Sequence, residues 1–356
     1  AFGNMIYNCP GMNTNINMSS SMSVAGNLEI LNTGTGFLVV GQATLNVTGD
    51  CIVSDSFRLA TTARTLNITG DLIVNGGKFD LSAGNVVGTV NLTGDFYLTA
   101  GSITETSGGS GLIVFNKSSG VQNYIFTGGS VSGVINFTVS NTTTLQMDSE
   151  GYLEGGGTCT LSAGATLGVT SADGISTSGA TGNVRTAGRV FLAGSNLIYN
   201  GDVDQVAGSG LANTTKANVT INNPGNTVTL SGNTTISAGL TVTAGSTLDV
   251  SSFTFNGPTS VSLGCGSTTA TAIEGTGLIT LAGPISTTDA GTGTNGATIS
   301  APIALAANRT FTIADDGSSA PDLTISGVIS TGFGITKAGA GEMVLSGNNT
   351  YTGSTT

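Results

Sequence analysis

The sequence predicts an all-β chain wound as a parallel β-helix, a solenoid with three short strands in each coil of about 22 residues. Three observations lead there. A six-residue motif recurs at nearly constant spacing, apolar residues alternate with polar ones around it, and glycine is over-used. Leu45-Asn46-Val47-Thr48-Gly49-Asp50 returns as Leu66-Asn67-Ile68-Thr69-Gly70-Asp71 and as Val90-Asn91-Leu92-Thr93-Gly94-Asp95. A looser copy precedes them at Met22-Ser23-Val24-Ala25-Gly26-Asn27, so the last positions step by 23, 21 and 24 residues. A fixed period of that length indicates stacked repeats.

The first strand of each unit is the motif itself. Leu45 and Val47 face one way and Asn46 the other, the period-2 pattern of a half-buried strand. Beyond the Gly-Asp corner the alternation resumes, which places Cys51 and Val53, Leu72 and Val74, and Phe96 and Leu98 at matching inward positions. A third segment supplies Phe57 with Leu59, Phe79 with Leu81, and Ile103. A helix is excluded because Val, Ile and Thr are frequent and Gly would interrupt every second turn. A sandwich or propeller would need hairpin turns, and propeller blades run to ~40–45 residues. A three-sided coil fits the shorter period. About 16 such coils at ~4.8 Å would make residues 1–356 one elongated β-helix near ~75–80 Å long. Shifts in composition near 140–158 and 264–300 mark expected coil subtypes 1–140, 141–265 and 266–356, spliced without new cores.

Composition narrows the chemistry. Glycine supplies 56 of 356 residues, charged residues 8%, and there is no His and no Trp. Without His there is no histidine general base, no Ser-His-Asp triad and no His-ligated metal. Nine Lys plus Arg against 20 Asp plus Glu give a formal charge of −11, which argues against nucleic acid as a partner. An apolar content of 38% at so low a charge argues against disorder. No apolar run approaches ~18 residues, so no transmembrane segment is expected in this piece. The chain opens at Ala1 without a basic and apolar leader and stops at Thr356 inside what reads as a repeat unit. A mature or trimmed piece of a longer chain is therefore expected.

Stacking would align Asn46, Asn67 and Asn91 into a hydrogen-bonding ladder. It would also place Asp50, Asp71 and Asp95 in a file of like charges. Two readings stand for that file: turn acids eased by solvent and backbone N–H groups, or a structural calcium ladder. Further acidic clusters are Asp202 with Asp204, Asp148 with Glu150 and Glu154, and Asp315-Asp316 with Asp322. A polysaccharide-cleaving enzyme would need such carboxylates beside Arg or Lys, and Arg185 and Arg189 fall about one coil from Asp202 and Asp204. Turn acids are the plainer reading, and Asp315-Asp316-Gly317 lacks the spaced ligands of a calcium loop. Ser107-Gly108-Gly109-Ser110-Gly111 lacks the Gly-Lys-Ser/Thr of a phosphate loop. No catalytic, cofactor-binding or metal-binding residue is assigned, and no cofactor is expected. Arg185, Arg189 and the scattered lysines read as surface charges.

Cys9 and Cys51 lie 42 residues apart, about two coils, and stacked positions that distant exceed the ~7 Å limit for a bridge. Cys159 and Cys265 are farther still. All four are expected as buried free thiols.

Two stretches resemble known families. Residues 159–223 include Leu167-Gly168-Val169-Thr170-Ser171-Ala172-Asp173-Gly174-Ile175, Leu197-Ile198-Tyr199-Asn200-Gly201 and Val219-Thr220-Ile221-Asn222-Asn223. They resemble the repetitive cell-surface proteins of Bacteroidota, which the type IX pathway exports by a C-terminal sorting domain; no such domain is visible here. The tail Lys337-Ala338-Gly339-Ala340-Gly341 with Leu345-Ser346-Gly347-Asn348-Asn349-Thr350-Tyr351-Thr352-Gly353 resembles the repeat of autotransporter passenger domains. Leu230-Ser231-Gly232-Asn233-Thr234-Thr235 partly echoes it. Both resemblances imply right-handed parallel β-helices displayed outside a bacterial cell.

The expected function is a non-enzymatic extracellular stalk or adhesin that offers a rigid polar rod to glycans, environmental surfaces or sister molecules, including self-association into a filament. Two alternatives remain. A carbohydrate-active β-helix enzyme would show two close carboxylates with Arg185 or Arg189. An ice- or surface-binding solenoid would show Thr227-Val228-Thr229 and Thr241-Val242-Thr243 aligned in one flat file.

Overall fold

Winding a chain of short, alternating strands lets every strand pair with its counterpart one coil away, and that is the arrangement found. The computed structural model describes residues 1–18, 21–212 and 214–356. It is a parallel β-solenoid of about 15 turns of roughly 23 residues, with no helix among the described residues. Two compact units are distinguished: residues 1–167 with 183–191, and residues 168–182 with 192–356.

In the first unit each turn contributes three strands to three faces. The first face is a sheet of eight parallel strands among the described residues, including Ser23–Val24, Thr44–Val47, Arg64–Ile68 and Val87–Leu92. The second face carries Leu28–Asn32 and Cys51–Val53, and the third carries Ile16–Met18, Leu38–Val40 and Phe57–Leu59. The longer strands Leu72–Asp80 and Phe96–Thr104 run through both.

The register is the one the motif predicts. Asn46 pairs with Asn67, and Asn67 with Asn91. Their side chains form a ladder, Asn67 Nδ2 donating to Asn46 Oδ1 at 2.7 Å and Asn91 Nδ2 to Asn67 Oδ1 at 2.8 Å. Inward positions stack into columns. Leu28, Cys51, Leu72, Phe96, Tyr124 and Met147 form one on the second face, all fully buried. Phe57 and Phe79 stack on the third, with ring centroids 5.2 Å apart. Each such side chain contributes roughly 1.5–3 kcal/mol by leaving water.

The Gly-Asp corner has a specific cause. Asp71 N–H donates to Asp50 Oδ1 at 2.9 Å, and Asp95 N–H to Asp71 Oδ1 at 2.7 Å. The same clasp begins with Asn4 receiving Asn27 N–H and Asn27 receiving Asp50 N–H, and ends with Asp95 receiving Asn123 N–H. From Asn27 to Asp95 the oxygen reaches forward one turn past a glycine, where any Cβ would stand in its way. At Gly70 a Cβ would lie 2.6 Å from Asp50 Oδ1 and 2.5 Å from the Gly49 carbonyl carbon. Glycine is therefore required by close approach rather than by an unusual φ.

The second unit repeats the three-sided plan. Its first face includes Asn196–Tyr199, Val219–Ile221, Gly239–Val242, Arg309–Thr312 and Ile335–Ala338. Among the described residues its second face is a seven-stranded parallel sheet that includes Thr227–Thr229 and Met343–Leu345, and its third is a five-stranded one. Leu197, Val219, Leu240, Val261, Ile285 and Phe311 form its matching buried column.

Two expectations are corrected. Cys51, Cys159 and Cys265 are buried free thiols, but Cys9 is exposed. Cys9 lies past the end of the strand Met5–Asn8, at the corner, whereas Cys51 sits inside a column above Leu28. Lys216 is not a surface charge. It is fully buried, its Nζ donates to the Thr214 carbonyl at 3.2 Å, and burial pushes its ammonium down to about 8.

Gly70→Ala should lower the midpoint of denaturant unfolding by the equivalent of about 1–3 kcal/mol. Gly11→Ala, where a Cβ meets nothing within 4 Å, should stay within about 0.5 kcal/mol. Burial pushes the Cys51 and Cys159 thiols up to about 12. An aromatic disulfide reagent near pH ~8 should thus titrate one thiol, Cys9, in the native protein and all four after unfolding.

Candidate functional site

The acids singled out by sequence are held mainly on backbone. In the corner ladder, one oxygen of each of Asp50, Asp71 and Asp95 accepts the next turn's N–H. Stacking still brings like charges together, and the Asp71 carboxyl is raised above its ordinary 3.8. Burial is the main cause, opposed by the Asp95 N–H and reinforced by the charges of Asp50 and Asp95. Lys117 Nζ stands 3.7 Å from Asp95 Oδ1 and offsets part of the repulsion.

Asp204 Oδ1 accepts Thr227 N–H at 2.8 Å, and Asp202 is exposed. Asp148 Oδ1 accepts Ser149 N–H at 2.8 Å, Glu154 Oε1 accepts Val131 N–H at 3.0 Å, and Glu150 is exposed. The Arg185 guanidinium lies over the Tyr152 ring at 3.7 Å, and Arg189 Nη1 donates to the Thr186 carbonyl at 3.0 Å. The two Thr-Val-Thr segments lie on different faces of the second unit, Thr227–Thr229 on the second and Thr241–Thr243 on and just past the first. They make no common file.

Asp315, Asp316 and Asp322 do converge, with one carboxylate oxygen from each lying within 4.8 Å of the others. Four of their six oxygens accept backbone N–H groups. Asp322 takes those of Asp316 and Glu342 at 2.8 and 2.7 Å, Asp315 that of Gly317, and Asp316 that of Ser318. Bonding to Ser318 holds the Asp316 carboxyl below the usual range. The arrangement builds a tight corner from side-chain oxygens.

The most structured polar cluster is one that sequence reading passed over. On the third face of the first unit, Asn17, Val39, Arg58 and Asp80 occupy consecutive rungs of one file. Arg58 Nε donates to Asp80 Oδ2 at 2.8 Å, and Asp80 is fully buried. Asp80 also accepts the Thr106 hydroxyl at 2.6 Å and the Ser82 N–H at 3.3 Å, so its charge is well compensated. The Arg58 guanidinium lies 3.8 Å from the centre of the Phe37 ring. Beside it opens a groove of about 460 Å³, whose lining includes Asn15, Asn17, Val39, Thr61 and a second arginine, Arg64. A signal existed in the sequence: Arg58 and Asp80 each follow a phenylalanine of the third segment, Phe57 and Phe79, and so share an outward register.

Residues 335–356 match the family model of the passenger-associated transport repeat. No curated protein and no solved structure matches the chain. The repeat is one turn of the solenoid. It begins with the strand Ile335–Ala338, passes through Met343–Leu345, and returns so that Thr355 pairs with Ile335. Thr356 N–H donates to the Ile335 carbonyl at 3.0 Å, and Lys337 N–H to the Thr356 carbonyl at 2.8 Å. Asn349 Oδ1 receives Ile329 N–H at 2.8 Å. Asn233, in the partial echo of the repeat, receives Thr254 N–H at 3.0 Å and precedes the third-face strand Thr234–Thr235. The repeat and the solenoid together fit an exported, passenger-like surface protein.

Asp71→Asn keeps an oxygen for the Asp95 N–H and removes the middle charge of the file, so at neutral pH it should match or exceed the parent in stability. Because folding raises the Asp71 carboxyl, its stability contribution is fully present below 3.8 and is lost as pH rises through the folded value. The advantage of the variant should therefore shrink on acidification, which unfolding midpoints at pH ~7 and ~3.5 would measure.

Proposed function

We propose that the chain is a non-enzymatic extracellular protein of a bacterial surface, a stalk or adhesin whose stacked polar sides meet glycans and environmental surfaces. The observation that carries this reading is the passenger-associated repeat forming one closed turn of the same parallel solenoid that makes up the rest of the chain. A repeat that serves as a rung can be added in number without a new core, which suits a spacer. The scarcity of charge, 8% of residues, leaves sides dominated by Thr, Ser and Asn, suited to hydroxyl-rich partners. Among the described residues, the acidic groups singled out from sequence are largely committed to backbone N–H groups or to solvent, which favours the stalk over a hydrolase or lyase.

For the route, we propose export in a member of Bacteroidota by the type IX pathway, on the resemblance of residues 159–223; a sorting domain encoded downstream would support it. Self-association through strand edges that pair with another chain is a variant of the same reading.

Antibodies against the purified chain should label intact cells of the source organism, and protease added outside should remove the signal. Labelling that appears only after permeabilisation would overturn the surface reading.

A further inference from the structure

The groove beside Arg58 has the features of a binding site rather than of a structural ion pair alone. In a chain with nine basic residues, two arginines line one concavity. They are differently set. Arg58 is fixed: Nε is tied to the buried Asp80 and the guanidinium plane rests on Phe37, so the Nη groups are held in place. Among the described residues those Nη groups have no protein acceptor. Arg64 is under-satisfied. Its Nη1 reaches the Ala63 carbonyl only at 3.4 Å, and its Nε is buried with no hydrogen-bond partner. A buried N–H donor without an acceptor is costly and rare, and the protein leaves this guanidinium with donor capacity beside the groove it lines.

The remaining lining says which acceptor. Asn15 and Asn17 offer exposed side-chain amides, Thr61 a hydroxyl, and Val39 an aliphatic contact. At about 460 Å³ the groove falls in the ~300–1,000 Å³ range of small-molecule sites and exceeds what a bare inorganic anion fills. Guanidinium forks match the planar carboxylate or the sulfate oxygens, amides and a hydroxyl match ring hydroxyls, and an apolar wall matches the C–H face of a sugar.

We infer that this groove binds an acidic saccharide unit, with its carboxylate or sulfate on Arg58 and Arg64 and its hydroxyls on Asn15, Asn17 and Thr61. This rests on the surface-adhesin reading and names the ligand class for it. Asp80 is a positioning residue, since it fixes Arg58 and is itself enclosed.

The test is calorimetric titration of the purified chain with oligogalacturonate (carboxylate only), chondroitin sulfate oligomers (sulfate and carboxylate), maltohexaose (neutral) and poly-glutamate. Either acidic saccharide should bind in a salt-sensitive way, and the pattern between the two identifies the group read. Maltohexaose and poly-glutamate should bind at least about tenfold more weakly. Arg64→Gln should weaken saccharide binding about tenfold or more with an unchanged melting curve. Arg58→Lys, which keeps the charge beside Asp80 but removes the fork, should also weaken binding about tenfold or more, and Arg64→Gln carries the test if Arg58→Lys melts lower. No binding of either acidic oligomer, binding indifferent to Arg64→Gln and Arg58→Lys, or equal capture of poly-glutamate would each overturn the inference. Each of those results leaves cell-surface labelling untouched, so failure of the groove and failure of the surface reading are told apart.

Discussion

The first turns of this protein depend on a clasp repeated from rung to rung: a side-chain oxygen at a corner receives the backbone N–H of the equivalent residue one turn on. Burial of one strand face forbids a one-residue slip, which would turn the apolar set outward, but a two-residue slip keeps the faces. The clasp removes that freedom. Asn4, Asn27, Asp50, Asp71 and Asp95 each accept from the next rung, and the glycine before each clasped residue from Asn27 to Asp95 leaves room for the oxygen to pass. Once the corners are registered, Phe falls on Phe and Asn on Asn. The buried columns and the outward ladders then follow from the period-2 alternation.

The clasp also gives each stacked acid a backbone partner that offsets part of the like-charge cost. A carboxylate oxygen is a stronger acceptor than an amide oxygen. The file begins and ends in asparagine and is aspartate only in its middle, with Lys117 beside its last acid. Cost and gain sit on the same atoms. The second unit uses a related device with Asn233 and Asn349, where the oxygen again receives a neighbouring rung's N–H. A rung of this kind needs only the one before it, which is how a 22-residue stretch matched as a passenger repeat can be a structural unit in its own right.

Against this regular background the Arg58 groove stands out because it breaks the rule of the outer sides. Most outward positions hold small polar groups, whereas here a buried aspartate fixes one arginine beside a concavity that a second arginine also lines. Fixing a guanidinium through a fully enclosed carboxylate demands two further donors, the Ser82 N–H and the Thr106 hydroxyl, and a precise neighbour above and below. Such an arrangement pre-sets a cation at a cost in desolvation.

The sequence by itself determined the period, the three strands per turn, the inward columns through Phe96 and Leu98, and the Asn46, Asn67 and Asn91 ladder, because each follows from spacing and alternation within a repeating unit. The partners of the corner aspartates were legible as a choice between solvent, backbone and cation. The structure alone showed the backbone N–H of the next turn in that place. What only the tertiary structure decided are features that depend on the exact rung above or below: the burial of Lys216, the exposure of Cys9, and the full enclosure of Asp80 behind Arg58. The physical reason is that periodicity fixes which way a side chain points, while its environment is set by loops of unequal length at the corners. Those loops close over some outward positions and leave others open.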